Sequence, residues 1–277
     1  MIAPVRRIEL LAIALGLLLA ASPVGAAGGT PNVLRVCADP DYLPFSTRSR
    51  TGFENRVALA VGHALGEPVQ FTWDSERGPG GFDQFVRDTL RAHRCDVLMD
   101  VPYAIDNLAV TQPYYVSSYV FVYPRIKHYD ITSMDSPELR ALRIGFETDT
   151  PAETGLKLRA LIVHAKPFEI GDDEGASPAE MLDAVERGTV DVAVTWEPAI
   201  GYFLRSRPDL AVVAVPNARS QGSPEQYAFP MAMATRPDDH TLAARLDQVI
   251  ANHGAELTGI LTSYGVRLYQ PSDVATR

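Results

Sequence analysis

The chain has 277 residues and a formal net charge of −9 at pH 7, with 34 acidic side chains against 25 Lys and Arg. This acidic balance, without a basic cluster, excludes nucleic acid and anionic membrane surfaces from the expected partners. About 250 residues follow position 27, enough for one large or two medium domains with a sizeable core.

The first 27 residues have the pattern of a secretory signal peptide. Arg6 and Arg7 supply positive charge, residues 10–21 form an uncharged apolar run, and Gly25-Ala26-Ala27 offers small residues for cleavage. The run is shorter than the roughly 20 residues of a spanning helix, which favours cleavage over a membrane anchor. We therefore expect a signal peptide over residues 1–27, cleaved after Ala26 or Ala27, and a mature periplasmic protein without a membrane span.

The mature chain alternates strand-like and helix-like segments, a pattern typical of α/β proteins. Apolar residues at helical spacing, such as Val57, Val61 and Leu65, predict helices, and β-branched runs predict strands. In chain order, strands are expected at 33–38, 69–73, 95–101, 111–123, 142–146, 190–195, 211–215 and 227–234. Helices are expected at 54–65, 82–93, 154–163, 177–187 and 237–264.

Two extended stretches, 119–124 and 230–235, bracket a second α/β unit. An inserted lobe between two crossing strands is the arrangement of hinged binding proteins, whose lobes rotate about a few residues. The predicted fold is therefore an α/β, two-lobed periplasmic binding protein (type II) with its second lobe inserted between two hinge crossings. Residues 28–123 plus 236–277 are assigned to lobe 1, and residues 124–235 to lobe 2.

Cys37 and Cys95 are the two cysteines of the chain. An exported protein with an even number of cysteines favours a disulfide. Both lie at strand-like segments, and neighbouring parallel strands could bring them within disulfide range; the alternative is two buried thiols. No cysteine or histidine pattern has metal-ligand spacing, so neither a metal site nor a cofactor is expected.

The order of segments resembles the family 3 periplasmic solute-binding proteins. The resemblance lies in residues 34–39, 52–54, 111–115 and 188–194, and it extends over essentially the whole mature chain. A narrower resemblance is to the J proteins (MxaJ and XoxJ type) encoded beside methanol dehydrogenases. It lies in Cys-Ala-Asp-Pro at residues 37–40, Leu-Pro-Phe-Ser at 43–46, Gly-Phe-Glu-Asn-Arg at 52–56, and residues 114–122 and 196–202.

The narrower resemblance implies a non-catalytic periplasmic accessory protein. Its expected partner is a PQQ-dependent methanol or alcohol dehydrogenase subunit, of the lanthanide-using type, which it would help to mature or activate. Both cysteines fall inside matched segments, which supports the disulfide.

Binding of amino acids is disfavoured by the residues present. Related receptors hold the ligand carboxylate with an Arg, whose guanidinium binds it in a bidentate way, but residues 103–109 contain none. The position of the amino-group Asp is occupied by Trp196. An importer receptor for a small non-amino-acid ligand remains the alternative. An enzyme on this fold would also need the missing Arg and a placed acid or base.

The predicted cleft is aromatic and acidic, which suits either an apolar pocket or a protein contact. Its candidate residues are Asp39, Tyr42, Phe45, Asp100, Tyr103, Tyr114, Asp149, Trp196, Glu197 and Tyr202. Asp39 and Asp100 are expected at carboxyl ends of parallel strands, where α/β sheets bind ligands. The alternative roles are sheet packing for Tyr114, core packing for Trp196 and helix capping for Asp149.

Overall fold

A computed structural model describes residue 1 and residues 32–171, 173–220 and 223–270. The predicted signal peptide lies, apart from Met1, outside the described residues. Within the described ranges, no helix has the length and apolar character needed to cross a membrane.

The first part of the chain forms seven strands and two helices. They are β1 (Leu34–Ala38), β2 (Asp41–Tyr42), β3 (Ser46–Thr47), α1 (Phe53–Leu65), β4 (Val69–Trp73), α2 (Gly81–Asp88), β5 (Val97–Pro102), β6 (Ala109–Val110) and β7 (Tyr115–Pro124).

Three short 3-10 turns and the remaining helices and strands follow. The turns are Arg125–Lys127, Pro137–Ala141 and Ile162–His164. The other elements are β8 (Ile144–Glu147), α3 (Pro151–Leu158), β9 (Lys166–Phe168), α4 (Ala179–Glu186), β10 (Val192–Trp196), α5 (Glu197–Leu204), β11 (Leu210–Ala214), β12 (Ala218–Ser220), β13 (Ser223–Glu225), β14 (Ala228–Thr235) and α6 (His240–Ser263).

Helix α1 shows how local sequence sets these bounds. The Asn55 side chain accepts the backbone N–H groups of Gly52 (3.2 Å) and Thr47 (2.9 Å) and so fixes the start of the helix. Gly66, at φ 70°, ends it in the left-handed conformation that glycine adopts without steric cost.

Ten strands form two sheets joined by β7, while β2 pairs with β3 and β12 with β13 in separate two-stranded sheets. In the first sheet, β1 runs parallel to β4 and β5, and β14 is antiparallel to β5 and to residues 115–118 of β7. In the second sheet, residues 119–124 of β7 pair with β10 and β11, and β8 lies between β10 and β9. We call the parts built on these sheets the N-terminal lobe and the inserted lobe. The α/β two-lobed binding-protein fold is confirmed; the boundaries after Tyr123 and Thr235 remain predictions.

Each lobe has its own hydrophobic core. In the N-terminal lobe, α1 and α6 pack on the sheet through Phe53, Val57 and Leu246. In the inserted lobe, Phe121 and Val194 lie together in one buried layer, and Val120 and Ala193 lie in a second buried layer. Helix α5 lies at the junction, because Ala199 belongs to the first core and the next residue to a core of the inserted lobe.

A third segment returns to the junction after α6. A Cβ on Gly201 would lie 2.7 Å from the carbonyl oxygen of Gly265, so the two backbones touch. Beyond this contact, the N–H of Arg267 donates to the Glu197 carboxylate (3.0 Å). The N–H of Tyr269 donates to the carbonyl of Val116 (3.1 Å). Residues 265–270 therefore pass between α5 and β7.

The predicted disulfide is present. Cys37 lies on β1 and Cys95 two residues before β5, and the parallel pairing of these strands brings their Cα atoms to 5.4 Å. The bond ties the first strand of the lobe to a strand 58 residues later in the sequence.

Candidate functional site

A cavity of about 290 Å³ lies between the two lobes. Its walls come from both sheets, including residues of β7, which joins them, and of β14. The lining residues are Tyr42, Phe45, Pro102, Tyr119, Glu147, Pro151, Trp196, Ala199, Phe229 and Met231. The predicted cleft residues Tyr42, Phe45 and Trp196 therefore meet in one cavity.

Three aromatic rings of the cavity wall are placed by strand pairing. Trp196 pairs with Tyr119 across β10 and β7, and their ring centroids lie 5.3 Å apart. Phe229 on β14 packs edge-on against Trp196 at 5.9 Å. Tyr42 and Phe45 form a second aromatic pair, at 4.8 Å, in the N-terminal lobe. The cavity thus has aromatic surfaces in both lobes.

Negative charge reaches this cavity from Glu147, at the end of β8. Burial, followed by the field of Glu147, raises the pKa of both Tyr42 and Tyr119 well above 10. These phenols therefore remain neutral near pH 7, with the Glu147 carboxylate close to both.

Arg77 connects the two lobes beside the cavity. Its guanidinium lies 4.3 Å from the centroid of the Tyr42 ring and 3.8 Å from the Asp39 carboxylate. It donates to the carbonyl of Asp41 (2.7 Å) in the N-terminal lobe, and to those of Ala176 (2.9 Å) and Asp173 (3.3 Å) in the inserted lobe. Because the Arg77 side chain is only 4% exposed, these contacts are shielded from water.

Asp39 and Asp100 lie on β1's carboxyl end and on β5, but they belong to an acidic cluster outside the cavity wall. The cluster also contains Glu54 and Glu76. Burial, together with nearby carboxylates, raises the pKa of Glu76 to about 8 and that of Glu54 well above its usual range. Burial raises the pKa of Asp100 to about 7, although a hydrogen bond from Tyr115 opposes the shift. No group of three or more His, Cys, Asp and Glu within the described ranges is arranged to hold a metal ion.

Tyr114 is a core residue rather than a cleft residue. It is 7% exposed, its hydroxyl donates to the carbonyl of Met99 (2.7 Å), and its ring packs edge-on against Tyr115. Its ring belongs to the core of the N-terminal lobe, as the packing alternative predicts.

Glu197 is also buried, directly after Trp196 in the sequence. It accepts the N–H of Arg267, and burial raises its pKa to about 8 despite that hydrogen bond. It therefore anchors the C-terminal segment and does not line the cavity.

Asp149 does not cap helix α3. The residue before the helix is Thr150, while Asp149 adopts a left-handed conformation (φ 58°) and its own N–H donates to the Glu153 carboxylate (2.8 Å). It is exposed, and it lines a larger neighbouring groove of about 720 Å³ beside α3.

Tyr103 and Tyr202 lie next to cavity residues, with their rings partly in solvent. Tyr103 directly follows Pro102 and is 41% exposed, and Tyr202 is one helical turn after Ala199 and 39% exposed. Neither ring lines the cavity, and we call these two exposed residues, each near a wall residue in the sequence, the rim tyrosines.

Sequence reasoning missed several wall residues, above all Tyr119, Glu147 and Phe229. Tyr119 lies in the first predicted crossing, Phe229 directly precedes the second, and Glu147 directly follows the strand predicted at 142–146. Their positions, at the carboxyl end of a strand or near a crossing, could have identified them, because α/β proteins bind ligands at such positions.

Comparisons with known proteins identify the family. No protein-family model matches the chain. Protein MoxJ of Methylorubrum extorquens is 31% identical over 258 residues, which cover 87% of this chain and 83% of MoxJ. The crystal structure of the periplasmic binding protein XoxJ from Methylobacterium extorquens AM1 is 27% identical, with a TM-score of 0.67 over 86% of this chain and 100% of XoxJ. MxaJ from Methlophaga aminisulfidivorans MPT, at 24% identity, shares the fold with a TM-score of 0.76 over 86% of this chain and 100% of MxaJ. The chain belongs to the MoxJ family, and its fold is that of the periplasmic binding proteins.

Proposed function

We propose that the chain is a non-catalytic periplasmic accessory protein that binds a PQQ-dependent methanol or alcohol dehydrogenase subunit, of the lanthanide-using type. Its role is to help that enzyme mature or become active. The observation that carries the proposal is membership of the MoxJ family, at 31% identity over most of both chains.

The chemistry of the cavity supports binding rather than catalysis. Among the described residues of its wall, Glu147 is the one carboxylate, and there is no Arg, Lys or His. A zwitterionic amino acid would lose water without gaining the paired charges that offset this loss. An enzyme on this fold would also need an Arg to hold a substrate carboxylate, and none lines the described wall.

The rim tyrosines supply a contact surface for a protein partner. Exposed aromatic side chains beside a cleft are the residue type that dominates binding energy at protein interfaces. Tyr103 and Tyr202 have this character, and they lie on different elements, directly after β5 and on α5. We therefore assign the dehydrogenase contact to this rim.

The test is a pull-down with the mature protein from the periplasmic extract of its source organism, followed by mass spectrometry. We expect a PQQ dehydrogenase subunit to be retained. Replacing both Tyr103 and Tyr202 by Ala should lower the retained amount more than about tenfold, as for the loss of interface anchor residues. Ile126→Ala, which alters an 82% exposed apolar side chain on the inserted lobe, is the matched control.

Failure to retain any dehydrogenase would refute the accessory role. An equal loss with Ile126→Ala would refute the rim as the contact surface. The second candidate function is an importer receptor for a small non-amino-acid ligand, which the presence of a cavity between the lobes favours. Co-purification of a metabolite without a dehydrogenase would support that candidate.

A further inference from the structure

The cavity between the lobes has walls of two chemical kinds. Most of its surface is aromatic or aliphatic: Tyr119, Trp196 and Phe229 form one cluster of rings, and Tyr42 forms a second with Phe45. Aromatic faces carry negative quadrupole charge and attract cations, Trp most strongly. The remaining chemical feature of the wall is the Glu147 carboxylate.

The charges around the cavity have a negative balance. Among the described residues, the carboxylates of Glu147 and Asp39 act on Tyr42 against the positive charge of Arg77, while Glu76, with a pKa of about 8, is mostly protonated at pH 7. Arg77 is itself paired with Asp39 and lies over the Tyr42 ring. This ring therefore already binds one cation in the folded protein. An anion would be repelled, and a neutral polar solute would find few hydrogen-bonding groups on these walls.

We propose that the cavity binds a compact organic cation, a free small molecule in which an ammonium group carries apolar substituents. Its charge would lie at Glu147 and its substituents against the aromatic walls. A cavity of about 290 Å³ is at the lower limit of the volumes that hold drug-sized ligands, so the ligand is small. This site requires no dehydrogenase and goes beyond the function proposed above.

Titration calorimetry of the mature protein with two probes tests the proposal. Choline carries a quaternary ammonium group, and 3,3-dimethyl-1-butanol has the same shape with carbon in place of the charged nitrogen. We expect choline to bind at least about tenfold more tightly than the alcohol. Equal binding of the two probes, or binding of neither, would overturn the proposal.

Two variants with the same change of charge locate the binding site. Glu147→Gln should weaken choline binding at least about tenfold and leave the alcohol unaffected, because the charge contact is lost while the walls remain. Asp149→Asn removes an equal charge two residues away, at an exposed position outside the cavity wall. It should change choline binding less than about twofold, since exposed charges are screened by solvent.

If the two substitutions weaken choline binding equally, the cause is a long-range effect of net charge, and the proposed contact between the ligand and Glu147 is refuted. Thermal unfolding of both variants verifies that each is folded at the temperature of the titration. Choline should also raise the unfolding temperature of wild type and of Asp149→Asn, since a ligand stabilises the state it binds.

Discussion

Replacing Arg77 by Met should destabilise the protein strongly. Met keeps an unbranched apolar stem and removes the guanidinium, which makes hydrogen bonds to three carbonyl oxygens at 2.7, 2.9 and 3.3 Å. Hydrogen bonds to charged groups contribute about 1.5–3 kcal/mol each, and they are not additive. Removing one member of a buried ion pair costs about 3–5 kcal/mol.

We expect Arg77→Met to lower the free energy of unfolding by about 3–5 kcal/mol. The remaining partner, Asp39, retains hydrogen bonds from the N–H groups of Asp41 (2.8 Å) and Glu76 (3.0 Å), which limits the loss. Urea unfolding followed by tryptophan fluorescence provides the measurement. Two of the lost acceptors lie in the inserted lobe, so small-angle scattering should also show a larger radius of gyration.

Arg94→Met is the matched control. It removes an Arg paired with Asp74 at 2.7 Å, but the two side chains are 48% and 39% exposed. Exposed ion pairs contribute about 0–1 kcal/mol. If both substitutions cost the same within about 1 kcal/mol, the reasoning that Arg77 holds the lobes together through buried contacts is refuted.

Three further predictions concern pH, the disulfide and backbone contact. Folding raises the pKa of Glu197 from 4.5 to about 8, so its contribution to stability should be lost as pH rises through that range. The unfolding temperature should therefore fall over this range, and less steeply in Glu197→Gln; the same slope in wild type and variant would contradict this. Replacing Cys37 and Cys95 by Ala should cost up to about 4 kcal/mol in urea unfolding, as for a closed loop of some 58 residues, whereas a loss below about 1 kcal/mol would contradict the loop argument. Gly201→Ala should destabilise by about 1–3 kcal/mol because its Cβ would meet backbone at 2.7 Å. Gly254→Ala, in α6 with open space around its Cβ, should stabilise by about 1 kcal/mol, and a similar effect of both changes would exclude the contact as the cause.

Much of the fold could be predicted because local patterns and tertiary packing agree. Val57 and Val61 recur at helical spacing, and both are fully buried in the core. The predicted helix 154–163 extended too far, since the chain turns at Ala160 with φ 56°. A left-handed alanine has no sequence signal comparable to glycine. The same holds for the predicted helix 82–93, which ends early and has a left-handed residue at His93.

The cavity wall was harder to predict than the fold. Trp196 could be identified because it ends a buried strand, but Tyr119 and Phe229 reach the cavity through the register between strands distant in sequence. Tyr114 shows the reverse error, since it directly precedes β7 and packs in the same core as Tyr115. Within a strand, the register is decisive. Successive strand residues point to opposite faces, so one residue of register decides between core and cleft. Composition and order do not specify that register.

The third passage of the chain through the junction has a mechanical consequence. Two crossing strands alone would leave the lobes able both to bend and to twist. Here residues 265–270 form hydrogen bonds to Glu197 on one side and to Val116 on the other. These bonds lie beside the backbone contact between Gly201 and Gly265. Twisting one lobe relative to the other would break these contacts, whereas bending about an axis at α5 would keep them. We therefore expect the lobes to open by hinge bending about this axis, with little twist.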